Sequence, residues 1–78
     1  MRLFGFRATH PFYPEGADIR FETENMYMGL ILWEARERIL QTYPNLTIDE
    51  LDEFEIRMVY NGFTGAFYPG TALYAKAG

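Results

Sequence analysis

The chain has 78 residues, 49% hydrophobic, 18% aromatic and 23% charged, with a formal net charge of −4. That size predicts one domain spanning residues 1–78, and seven Phe, six Tyr and one Trp exclude a disordered chain. With no Cys, no Ser, one His and one Lys, disulfides, Cys-based metal sites and Ser- or Cys-centred nucleophilic catalysis are excluded.

Residues 2–9 alternate, with Phe4, Phe6 and Ala8 on one side, which predicts a half-buried strand. Residues 10–16 carry Pro11, Pro14 and Gly16. Proline removes an amide donor and fixes φ, so this stretch is expected to be a loop. Residues 17–24 alternate again, setting Ile19, Phe21 and Thr23 against Asp18, Arg20, Glu22 and Glu24.

The period changes over 26–42. Met28, Leu32, Ala35 and Ile39 recur every three to four residues, beside Ile31 and Tyr43, as in a helix laid on a sheet. Asn25 is the expected cap, and Pro44 and Asn45 the expected stop. A second apolar line, Met26, Leu30, Trp33 and Leu40, falls on the other side. A single helix on a one-layer sheet needs only one apolar stripe, so this second line is expected to meet either the chain's own 10–16 segment or another molecule.

Thr47 and Glu50 have the spacing of a capping box, flanked by Leu46 and Leu51 as a hydrophobic staple; a short helix over 48–53 follows. Residues 54–60 form a further strand, with Phe54, Ile56, Met58 and Tyr60 on one face. Asn61-Gly62 suits a type I′ turn into a return strand over 63–68, and Pro69-Gly70 suits a second turn into a short edge strand ending at Lys76. The expected fold class is α+β: an antiparallel sheet of four to five strands (β-β-α-short α-β-β) with one long helix packed across one face.

A chain of this size removes only about 63% of its surface from water, so it cannot hide every ring at ~150–250 Å² each. With no staple available, a homo-oligomer, most simply a dimer, or a tight complex with another protein is expected. No run of ~18 apolar residues is present and residues 1–7 lack a signal-peptide core, so no membrane association and a cytoplasmic location are expected. The Asn45-Leu46-Thr47 glycosylation triplet has no role in that setting.

Three groups of residues carry the functional reading. Asp49, Glu50, Asp52, Glu53 and Glu55 form an acidic surface suited to a basic protein partner, and the negative net charge disfavours direct nucleic-acid binding. Met26, Leu30, Trp33 and Leu40 form the interface stripe, rich in the residue types found at interface centres. Arg7, His10, Tyr13, Arg20 and Arg57 form an alternative cradle for an anionic metabolite or nucleotide, held at a subunit interface. The expected function is a small acidic non-enzymatic binding protein, an inhibitor or adaptor that contacts another protein; by analogy of size and charge, a nucleic-acid-handling complex is one candidate. The alternative is an oligomeric protein sequestering a small anionic ligand. No catalytic residue, cofactor or metal is expected: the single His and the absent Cys leave no standard zinc ligand set, and no Gly-rich loop precedes a Lys-Ser/Thr pair.

Overall fold

A computed structural model describes residues 1–67 and 72–74, with side chains described through residue 65. In chain order the elements are β1 (Arg2–His10), β2 (Tyr13–Thr23), α1 (Met28–Thr42), α2 (Ile48–Asp52), β3 (Glu55–Asn61), β4 (Ala66–Phe67) and β5 (Ala72–Tyr74). The frame is α+β: β2, β1 and β3 form an antiparallel sheet in that order, with α1 against one face. The short β4 and β5 both pair with β3. Of the anticipated return strand over 63–68, the described residues pair only at Ala66–Phe67; Tyr68, the Pro69-Gly70 turn and Lys76 lie outside the described residues.

Alternation decides which face is covered. Phe4 pairs with Phe21, and Phe6 with Ile19 and Met58, while Ala8 pairs with Ile56; all these side chains are buried. Ile31, Ala35 and Ile39 of α1 close the core over them, with Leu51 and Phe54 at one end. The rings form two groups. Phe6 stacks between Phe4 and Phe21 at one end, and Tyr13, Tyr43 and Phe54 pack mutually at the other.

Several local expectations need correction. The stretch 10–16 is not a loop: the chain turns over Pro11 and Phe12 alone and re-enters the sheet at Tyr13, opposite His10. Pro14 is tolerated because β2 is an edge strand, where a missing amide breaks no ladder bond. The irregular register beyond Ala8 is absorbed near Gly16, whose φ of 69° places it in the left-handed region.

Asn25 does not cap α1. The N-cap is Tyr27, which has extended backbone and makes no side-chain cap bond. Asn25 instead donates from Nδ2 to Glu34 Oε1, which also accepts from the Thr23 hydroxyl, so Glu34 ties the end of β2 to the helix. At Asn61-Gly62 neither residue has positive φ, so no type I′ turn forms. A longer loop closes through a Gly65 amide bond to the Asn61 carbonyl, with Gly65 in the left-handed region. The loop is drawn inward by the edge contact of Phe63 with Phe4.

The capping box is as expected. Thr47 Oγ1 accepts from the Glu50 amide and Glu50 Oε1 accepts from the Thr47 amide. Leu46 and Leu51 both pack into the core. Tyr60 was expected beside Ile56 and Met58. A bulge between Gly5 and Phe6 inserts Val59 and turns Tyr60 to the face opposite α1, across from Gly5. Among the described residues no helix is long and apolar enough to cross a membrane.

Candidate functional site

Most of the acidic segment is engaged from within the chain, although among the described residues only Asp52 and Glu55 meet a cationic side chain. Glu50 is committed to the cap, Asp52 bonds buried Arg36, Glu53 bonds His10, and Glu55 bonds Arg57. The bond from the Thr47 amide, joined by the Thr47 hydroxyl, holds the Glu50 carboxyl below its ordinary pKa, because both hydrogen bonds favour the charged form. Only Asp49 of the five points its charge at solvent without a side-chain partner among the described residues. The partners arrive from far along the chain: Arg36 lies 16 residues and His10 43 residues away.

His10 is a core histidine. Its Nδ1 accepts from the Phe12 amide, leaving Nε2 to donate to Glu53 Oε2 at 3.0 Å; that pairing fits the neutral Nε2–H tautomer. Its ring lies 5.0 Å from that of Phe54, and its side chain is fully buried. The alternative anion cradle is therefore not assembled. His10 and Tyr13 face the core, whereas Arg7, Arg20 and Arg57 project from the open face of the sheet. Arg7 and Arg57 stand opposite each other across β1 and β3, and each is compensated by its own carboxylate, Asp18 and Glu55 respectively.

The interface stripe divides in two. Arg36 of α1 bonds Asp52 of α2, so the short helix folds back over the C-terminal half of the long one. Leu40 consequently packs against the core and leaves the stripe. Among the described residues the N-terminal half stays largely uncovered: Met26, touched by the Arg2 guanidinium, is 57% exposed, Leu30 51% and Trp33 48%, and Tyr27 beside them is also exposed. The expected alternative cover, Phe12 and Tyr13, is not there; Phe12 is exposed and Tyr13 packs on Tyr43 and Phe54. Arg36 also lies over the Trp33 ring, 5.1 Å from its centre, and braces an indole that is otherwise about half exposed. Exposed Glu37 is one helical turn beyond Trp33, and exposed Glu24 precedes Met26.

Sequence reasoning missed two elements of this surface. Arg36 is buried although it lies in a charged run, and only its helical spacing to Leu32 and Leu40 hinted at it. Gly5 opens a cleft on the open face of the sheet, lined by Leu3, Phe4, Gly5, Arg20, Val59 and Tyr60. A glycine inside an otherwise regular strand was its available signal. Among the described residues no group of three or more His, Cys, Asp or Glu is placed to hold a metal ion. Comparison with protein-family models, with curated proteins and with solved structures returns no match.

Proposed function

We propose that the chain is a non-enzymatic binding protein, an inhibitor or adaptor, that contacts another protein through the exposed N-terminal half of α1. The observation that carries this reading is the uncovered run Met26, Leu30 and Trp33 beside a core that closes without them. Large apolar patches of this kind, rimmed by charge, mark interaction surfaces, and Trp is enriched where interfaces concentrate their energy. Glu24 and Glu37 are exposed beside that run, and Asp49 is exposed on α2, so all three add negative charge to the surface. The partner this favours has an apolar groove with a basic rim.

A second copy of the chain fits less well. A two-fold contact presents the same patch twice, so carboxylates beside the strip face carboxylates in a chain of net charge −4. The acidic segment contributes less than its composition implies, because four of its five carboxylates already bond within the chain.

The test is affinity capture from the source cell's lysate, comparing wild type with Trp33→Asp and with the triple variant Glu24→Gln, Glu37→Gln, Asp49→Asn. All four positions are exposed, so the fold is retained. The reading expects one retained protein, lost with Trp33→Asp, and held more weakly and with less salt dependence by the triple variant. Equal capture by Trp33→Asp, recovery of only the chain itself, or no capture by wild type overturns it.

A further inference from the structure

We propose that the open face of the sheet carries a second, independent site: a notch over Gly5 that seats a small planar organic anion, an aromatic carboxylate. Gly5 lies in the middle strand, directly opposite Arg20 on one side and Tyr60 on the other. The row across the sheet therefore reads Arg20, no side chain, Tyr60. The result is a cleft of about 280 Å³, with Leu3 and Val59 completing its apolar wall.

The notch depends on the glycine. A Cβ at Gly5 would sit 3.2 Å from Val59 Cγ2 and 3.3 Å from Tyr60 Cβ, so a side chain there would press on two residues that line the cleft and reshape its wall. A glycine in a strand interior weakens the strand and frequently marks close approach by another molecule.

The charge is the second observation. Arg2, Arg7, Arg36, Arg38 and Arg57 are each engaged with a carboxylate, a carbonyl, a sulfur or a ring. Among the described residues Arg20 forms no such contact. Asp18, the next residue along the same face of β2, is held by Arg7 and does not neutralise Arg20. A guanidinium with its fork free, at the edge of an apolar cleft, matches a carboxylate on a flat hydrocarbon body. The volume falls just below the ~300–1,000 Å³ usual for ligand pockets, so it admits one ring system and excludes a dinucleotide. The site lies on the face away from α1, so it neither requires nor competes with the protein contact proposed above.

Naphthoate serves as the probe and neutral naphthamide as its control, titrated into the full chain and followed by two-dimensional amide NMR. Saturable shifts centred on Gly5, Arg20, Val59 and Tyr60 are expected with naphthoate. Arg20→Gln, an exposed change that leaves the fold intact, should weaken naphthoate by roughly tenfold or more and leave naphthamide unchanged. Gly5→Ala should weaken both. Shifts centred instead on Met26 to Trp33, shifts that never saturate, or equal naphthoate affinity in Arg20→Gln overturn the proposal.

Discussion

The two faces of the sheet are built from the same three strands and obey opposite rules. On the face under α1, the central cross-strand pairs are apolar on both sides, as with Phe4 and Phe21 or Ala8 and Ile56, and their side chains are buried. On the open face, charge meets charge: Arg7 with Asp18, and Arg57 with Glu55. The covered face supplies stability through area removed from water, whereas the open face contributes little to folding and keeps its groups available. In the row through Gly5, Arg20 has no such carboxylate partner among the described residues.

That contrast is open to direct test by chemical denaturation. Phe6→Ala should destabilise the chain by about 3–5 kcal/mol, whereas Leu3→Ala, at a half-exposed position of the same strand, should cost less than about 1 kcal/mol. Similar losses for both would mean that the open face is covered in solution.

Asp52→Ala strips a carboxylate from buried Arg36 and should cost about 1–3 kcal/mol, besides uncovering Leu40. Thr47→Ala should cost about 1 kcal/mol through loss of the cap. It also carries a pH signature. Because the folded-state pKa of Glu50 is lowered, its contribution is complete above the unfolded pKa and disappears as pH falls through the folded one. Thr47→Ala should move the Glu50 titration, followed by carboxyl NMR, back up towards the ordinary value and flatten the acid limb of stability. Asp18→Ala should cost no more than about 1 kcal/mol, with the difference shrinking in salt. Arg20→Gln should fall within about 0.5 kcal/mol of wild type, the smallest change of the set.

Period and capping chemistry made the three long strands, both helices and the core residues readable in advance, because these depend on neighbours two to four positions apart. The candidate surfaces depend on contacts the local pattern does not contain. The five acids looked unpaired because Arg36 and His10 reach them only through the fold. Leu40 looked like Trp33 because nothing local reveals that α2 turns back over one end of α1 and not the other. Tyr60 looked inward because alternation assumes an unbroken ladder, and one extra residue at Val59 reverses the facing of all that follows. His10 read as a loop residue because two prolines mask a turn tight enough to return the chain to the sheet.

The start of α1 lacks both devices that hold α2 in place: its first turn carries no side-chain cap and no acidic residue. Met26, Tyr27 and Leu30 sit on or beside that loosely anchored turn, while Trp33 lies one turn deeper, braced by Arg36. Amide exchange should accordingly be fastest at residues 28–30 and slow abruptly by Ala35. A visitor to this end of the molecule finds a rigid indole post beside a pliable rim, a surface able to mould itself to more than one shape.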